Sequence, residues 1–475
     1  MKKLSIVFIF LFSTLACQDD LTELNTDPKS ATEVPAVTLF SNAQKNLTDI
    51  MTSTSVNDNV FRLLAQHWTT TTYTDEPRYD LNTRNIPQTF WNTLYVSVLR
   101  DLKEARTILE ADESVVDEAL KQNQLAQIEI MEVYAWQVLV NTFGDIPYTE
   151  ALDYTIPSPK YDDASTVYND LLTRLDAAIA LLDESANSFG TGDLIYGGDI
   201  ASWVKFANSL KLKMAMVIAD VDAAKAQTLA EQAAPNVFTS NDDNAIFQYL
   251  PAPPNTNPIW VDLVQSGRQD FIVANTLVNR MNALGDPRLP FYFTPINGAY
   301  VGGTYGTSNN YTLFSKPAEE IIDPEFRGVL LDYAEVEFLL AEATERGFNV
   351  GGTAIEHYNA AVTASILDWG GTAIDAATYL LKPEVNYLTS GATFREKIGQ
   401  QKWIALYNRG WDAWTEWRRL DSPQLQAPAD AFVASVPVRF TYPVLEQTLN
   451  PTNYAQAVSA IGQDVLTNKL WWDVR

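Results

Sequence analysis

Residues 331–346 read LDYAEVEFLLAEATER, and residues 353–369 read TAIEHYNAAVTASILDW. Across them Leu340-Ala341-Glu342-Ala343, then Gly347, then Ala354, Tyr358 and Ala361 alternate small and large side chains around a glycine turn. Small residues let two helices approach, and Tyr358 fills the gap between them. The pair reads as a helical hairpin. Working outward, the same signal returns on both sides. Residues 163–185 place Val167, Leu171, Leu175, Ile179 and Leu182 at spacings of four or three, which draws one apolar stripe. Ser165 is the expected cap of that helix. Residues 116–142 repeat the pattern through Leu120, Ile128, Met131, Ala135 and Leu139 and stop before Gly144. Residues 200–219, behind Asp199, carry Trp203, Phe206, Leu210 and Met214. A last aromatic helix is expected over 393–420.

The small–large alternation of the hairpin is that of a tetratricopeptide-like unit, an ordinary αα-hairpin being the other reading. Between the helices lie two loop-rich zones, 69–89 and 239–311. The second holds Pro251, Pro253, Pro254 and Pro258 and the glycines Gly298, Gly302, Gly303 and Gly306. Long loops inside a helical protein are functional or disordered. These two, with Trp68 at the edge of the first, carry Tyr73, Tyr79, Trp260, Tyr300, Tyr305 and Tyr311. Disordered segments are poor in aromatics. Both zones are therefore expected to be ordered and to face something.

The amino terminus has a different grammar. Met1-Lys2-Lys3 precedes an apolar run from Leu4 to Leu15, then Ala16 and Cys17, the single cysteine of the chain. Two lysines, a short hydrophobic stretch and a small residue make an export signal. The run is too short for a membrane span, which takes about 20 residues. Cysteine directly after the small residue makes the segment look like a lipoprotein signal, with residues 1–16 removed and Cys17 carrying lipid. Leu15 stands one place closer to the cysteine than the usual pattern, with Thr14 in its slot. Residues 17–32 are polar and read as a tether. Residues 33–475 read as one domain.

Composition narrows the function. The chain has 475 residues with 33 basic and 59 acidic side chains, for a net charge of −26. Loss of Lys2 and Lys3 would bring it near −28. Nucleic acid is an unsuitable partner, because phosphate binding wants a basic face. The 12 Trp, 21 Tyr and 21 Phe supply flat apolar faces for sugars, for a core or for an interface. Trp403, Leu406, Trp411 and Trp414 fall at buried-face spacings and are assigned to the core, as are Trp91, Trp136 and Trp203.

Signs of catalysis are sparse. The only histidines are His67 and His357, too few for a multi-histidine zinc site. Neither comes with a nucleophile signature. His67, beside Trp68, suits either ligand contact or a structural hydrogen bond; His357 reads as structural. Glycoside hydrolysis needs two carboxylates across a cleft, and nothing marks one pair among the 59 acids. No cofactor is implied. Asp242-Asp243-Asn244 and Asp162-Asp163 offer oxygens of the kind calcium takes, but without EF-hand spacing; capping or solvation is the other reading.

At this point the residues resemble a known family. The order Leu24-Asn25-Thr26-Asp27-Pro28, Gln66-His67-Trp68, Phe90-Trp91-x-x-Leu94-Tyr95, Phe143-Gly144-Asp145-Ile146-Pro147-Tyr148, Trp203-x-Lys205-Phe206-Ala207-Asn208, Asp286-Pro287-Arg288-Leu289-Pro290 and Gln401-Lys402-Trp403-Ile404-Ala405-Leu406 is similar to that of the SusD/RagB-like outer-membrane lipoproteins of Bacteroidetes, in the SusD-like type 2 branch. The resemblance implies a mainly α protein. Its scaffold would be tetratricopeptide-like helix pairs, with long loop-rich ligand-binding insertions and few short strands. It also implies a non-catalytic, lipid-anchored protein of the cell surface that captures oligosaccharides for a SusC-like TonB-dependent transporter. A peptide-binding, RagB-like role is the alternative, and a surface glycan hydrolase a further one.

In relatives the segment before the Trp-x-x-Leu-Tyr helix contributes to ligand capture. Here it holds Trp68, Tyr73, Asp75, Arg78 and Tyr79. Trp68 and the tyrosines are expected to stack on sugar faces, and Asp75 and Arg78 to hydrogen-bond hydroxyls. The second zone adds Trp260, Arg268, Asp270, Tyr300 and Tyr305.

Overall fold

Helix pairs that follow one another in the chain make the frame. The computed structural model describes residues 34–114 and 116–475; the signal segment 1–16, Cys17 and the tether 17–32 lie outside them. Within Ala36–Arg475, the main helices are α1 (Ala36–Thr52), α2 (Arg100–Ala111), α3 (Glu118–Phe143), α4 (Ala164–Leu181), α5 (Ile200–Val217), α6 (Ala223–Ala233) and α7 (Asn275–Leu284). They continue as α8 (Tyr333–Glu345), α9 (Ala354–Asp368), α10 (Ala373–Leu380), α11 (Phe394–Ala405), α12 (Gly410–Leu420) and α13 (Pro451–Ile461). Helices α3 with α4, α5 with α6, α8 with α9 and α11 with α12 pack as consecutive pairs, and α5 and α11 also pack on α8. The expected mainly α class with few strands is the one observed. Among the described residues, eight short strands form four antiparallel pairs: β1 (Trp68–Thr70) with β5 (Phe271–Val273), β2 (Ile146–Pro147) with β3 (Tyr161–Asp162), β4 (Ala245–Phe247) with β8 (Gly328–Leu331), and β6 (Phe293–Thr294) with β7 (Lys316–Pro317).

Side chains of the sequence start these helices. Asp117, Asp199 and Asp332 accept from the backbone N–H three residues on, at the heads of α3, α5 and α8. Helix α4 is capped by Asp163, which accepts from Thr166 N at 2.8 Å, and not by Ser165. Asp163 stands two residues before Ser165, where the chain is still extended, and a carboxylate suits the positive helix start.

The hairpin that set the expectation is present. Ala341, Ala343, Tyr358 and Ala361 are buried, and the Tyr358 hydroxyl donates to the Val385 carbonyl at 2.7 Å. His357 clamps the turn. Its Nδ1 lies 2.7 Å from Glu337 Oε2 and its Nε2 2.9 Å from the Gly351 carbonyl. Both partners are acceptors, so the two bonds together favour the doubly protonated ring. Burial alone would lower its pKa; the bonds to Glu337 and Gly351 outweigh burial and raise it above 6.5. The stabilisation is therefore complete below the unfolded value of 6.5 and is lost as pH rises through the folded one. His357→Gln is expected to flatten this part of the stability–pH curve in urea titrations; an unchanged curve would mean the clamp contributes nothing.

Two expected elements are corrected. The helix over 393–420 is two helices, broken after Leu406, with Asn408 in the left-handed region at φ 69°. The break lets α12 pack against the one-turn helix Phe61–Leu64. A Cβ on Gly410 would stand 2.5 Å from the Arg62 backbone nitrogen, so only glycine allows that approach. Gly410→Ala is expected to cost about 1–3 kcal/mol, the range for overpacking, in chemical denaturation. Zone 239–311 is also not loop throughout. It contains α7, whose Leu277, Val278, Met281 and Leu284 face the core, and strands β4, β5 and β6.

The core is threaded with charge where α5, α8, α11 and α12 meet. Lys213 pairs with Asp412 and, at 3.1 Å, with Glu335; Arg409 pairs with Glu335 at 2.6 Å, Asp332 at 2.9 Å and Asp412 at 3.1 Å. Burial would raise the Glu335 carboxyl, but Lys213 and Arg409 more than offset this and hold it below the ordinary range. One turn on, Lys402 pairs with Glu416 at 2.6 Å, and Glu416 and Glu342 share Arg419. The tryptophans assigned to the core, Trp91, Trp136, Trp203, Trp403, Trp411 and Trp414, are all buried.

Candidate functional site

The two loop zones meet in one ribbon. Strand β1 begins the first and β5 lies in the second, with Trp68 opposite Val273, Thr69 opposite Ile272 and Thr70 opposite Phe271. The pairing runs on: Thr71 N donates to the Asp270 carbonyl at 2.9 Å and Thr71 Oγ1 to the Gln269 carbonyl at 2.7 Å. Residues 302–309 close over the other side. Gly303 N donates to the Val273 carbonyl at 2.9 Å, and Asn309 N and Ser308 Oγ both donate to the Thr71 carbonyl at 2.8 Å. A Cβ on Gly303 would stand 2.2 Å from Ile272 Cδ1. A Cβ on Gly302 would stand 2.5 Å from Asn275 Cα, so the backbones approach closely there.

The ribbon sorts the expected residues by side. Trp68 is 1% exposed. Its Nε1 donates to the Tyr407 hydroxyl at 3.0 Å, and its ring lies 5.8 Å from that of Phe271. Tyr79 is buried within reach of Gln66, and Tyr305 is buried with its hydroxyl donating to the Leu63 carbonyl at 2.7 Å. These three rings fill the interior behind the ribbon and offer no face to a ligand, contrary to expectation. His67 is equally structural. It is fully buried, with Nε2 donating to the Trp403 carbonyl at 3.0 Å, and burial pushes its imidazole down to about 3.

On the outer side, Tyr73, Arg268 and Asp270 come together. The Tyr73 ring is 46% exposed. The Arg84 guanidinium lies 5.5 Å from its centre and that of Arg268 5.9 Å away. Arg84 pairs with Glu76 and Arg268 with Asp270, which fixes both guanidiniums beside the ring. A cleft of about 130 Å³ opens next to them, lined by Thr54, Asn57, Arg84, Asp262, Arg268 and Asp270. Asp262 accepts from Thr54 Oγ1 at 2.9 Å, and Asp58 behind it accepts from Ser53 Oγ at 2.9 Å. Burial raises both carboxyls, Asp58 to about 6, with the Asp262 charge adding to the rise. The group can therefore donate and accept hydrogen bonds beside an apolar ring face, which is what a sugar presents with its hydroxyls and C–H faces.

The remaining expected residues are placed as follows. Asp75 is exposed on the same turn as Tyr73. Arg78 is a brace: its Nε donates to the Gly306 carbonyl at 2.7 Å, its carbonyl accepts from Phe432 N at 2.8 Å, and it lies 3.5 Å from Asp430. Trp260 is half-buried on the turn Pro258–Trp260, two residues before Asp262. Tyr300 packs against the core, its carbonyl accepting from Asn282 of α7, apart from the Tyr73 group. Phe432, 63% exposed next to Arg78, is missing from the expected set, as are Arg84 and Asp262. An aromatic in the aperiodic stretch Pro428-Ala429-Asp430-Ala431-Phe432 carries the same signal as the tyrosines of the two zones. The candidate calcium residues serve the backbone: Asp243 closes a capping box with Ser240, and Asp162 accepts from Thr149 N at 2.7 Å.

A helix-pair scaffold holding out a polar and aromatic loop face is thus the class of protein the fold defines. The chain belongs to the SusD-like family, whose family model, described as starch-binding associating with outer membrane, matches residues 28–443. Among solved structures, a chitin-binding protein is similar at 26% identity with a TM-score of 0.81, over 93% of this chain and 100% of that one. A chitin-binding SusD homolog from Flavobacterium johnsoniae matches at 26% identity and a TM-score of 0.79, covering 92% and 99% of the two chains. A SusD homolog from Bacteroides uniformis matches at 25% identity, also at 0.79, covering 92% and 99%. No curated protein sequence matches. Among the described residues no helix is long and apolar enough to cross a membrane.

Proposed function

We propose that this chain is a cell-surface lipoprotein, anchored through Cys17, that binds oligosaccharides without cleaving them and passes them to a SusC-like TonB-dependent transporter. The observation that carries the reading is the exposed Tyr73 ring, beside two ion-paired arginines that line a hydrogen-bonding cleft. Family membership supports a carbohydrate ligand at the outer membrane. Two of the similar structures are named as chitin-binding, so oligomers of N-acetylglucosamine head the ligands to try, with starch fragments next.

Calorimetry of the purified protein against a glycan panel tests the reading. Binding to at least one glycan, with no product released on long incubation, is the expected result. Retention of peptides with no glycan bound would favour the RagB-like role instead. Release of shortened sugars by the protein alone would make it a hydrolase. Copurification of a barrel transporter from membranes tests the partner.

A further inference from the structure

A second cleft lies away from the ribbon's outer face, between α7, α11 and the segments around residues 390 and 423. It encloses about 430 Å³, within the range of small-molecule sites. Its one guanidinium is Arg280. The only side-chain bond Arg280 makes among the described residues is donation to Gln400 Oε1, and no carboxylate of those residues lies at ion-pair distance. Burial lowers its pKa, although Tyr379 and Glu384 act in the other direction. A guanidinium has five N–H donors, so most of the donors of this half-buried cation are unspent. Another group of the cleft lacks a partner too: Gln400 Nε2 is shielded from solvent with no hydrogen-bond partner among the described residues. Glu396, the acid of the lining, is occupied, since its Oε2 accepts from Ala392 N and Thr393 N at 2.7 and 3.1 Å. Pro423, Leu425 and Trp403 supply the apolar part of the lining, interleaved with Ser422 and Gln424.

We infer that this cleft binds a small carboxylate with an apolar body, of the size of an N-acylated amino acid, with the carboxylate on Arg280 and the body against Pro423, Leu425 and Trp403. A planar fork accepts a carboxylate in two parallel bonds. Phosphate and sulfate carry close to two charges at neutral pH, against the single cation of this lining.

Calorimetry with N-acetyl-leucine, its carboxamide and glucuronate tests the assignment. N-acetyl-leucine is expected to bind with a Kd of about 1 mM or tighter, and the carboxamide roughly tenfold more weakly. Arg280→Gln should abolish the preference for acid over amide, and Arg280→Lys should restore only part of it, because an ammonium lacks the fork. Glycan binding should be unchanged in both variants, which keeps this test separate from that of the ribbon site. The acid–amide comparison on the unaltered protein does not depend on the folding of any variant. Equal binding of acid and amide, tighter binding of glucuronate, or no binding of N-acetyl-leucine would overturn the proposal.

Discussion

Lys213→Met is expected to destabilise the protein by about 3–5 kcal/mol, the cost of breaking a buried ion pair from one side. Lys213 is buried between Glu335 and Asp412, with its ammonium 5.5 Å from the centre of the Trp411 ring. Removing it leaves Glu335, Asp412 and Asp332 to share Arg409, so excess negative charge stays where water cannot solvate it. Desolvating an unpaired charge costs more than the lost attraction between the partners. Lys213→Met combined with Asp412→Leu should therefore cost less than the sum of the two single changes, a coupling that a double-mutant cycle in urea reads directly. A single-variant loss below about 1 kcal/mol, in the range of surface pairs, would mean that water reaches the network.

Tyr73→Ala should weaken glycan binding roughly tenfold, about 1.4 kcal/mol, while leaving stability within about 0.5 kcal/mol of the starting protein. The ring is half out of the protein, so little packing is lost with it. Its exposed face is what a sugar would cover. Trp68→Ala should show the opposite pattern, with a stability loss of about 3–5 kcal/mol from the cavity it leaves. Calorimetry paired with denaturation separates the two effects. If Tyr73→Ala binds the selected glycan as tightly as the parent does, the ribbon's outer face is not the binding surface.

The helices were legible wherever apolar residues kept their period and a capping acid stood at the head, as for Asp199 and the Trp203–Met214 stripe. The break at Asn408 was hidden because Trp403, Leu406, Trp411 and Trp414 keep a buried-face spacing across it. Helix α7 was masked by the prolines before it and the glycines after it. In the site, the order of the two zones followed from their aromatic content, yet their meeting and the side each ring faces did not. Strands β1 and β5 have three residues each, too short to print an alternating pattern. Trp68 faces inward only because β5 pairs beside it, a contact between residues some two hundred positions apart. Arg84 and Asp262 carry no local signal at all, since their part depends on where Tyr73 and Thr54 lie in space.

The ribbon has a consequence for how such a protein changes over time. Its backbone bonds and inward rings fasten it to the helices, whereas Tyr73, Asp75 and Arg268 hang from that fastening with few obligations to the interior. Mutation can rewrite these outer positions one by one while folding proceeds as before. A new ligand would then be met by refitting a few fingertips on an inherited hand.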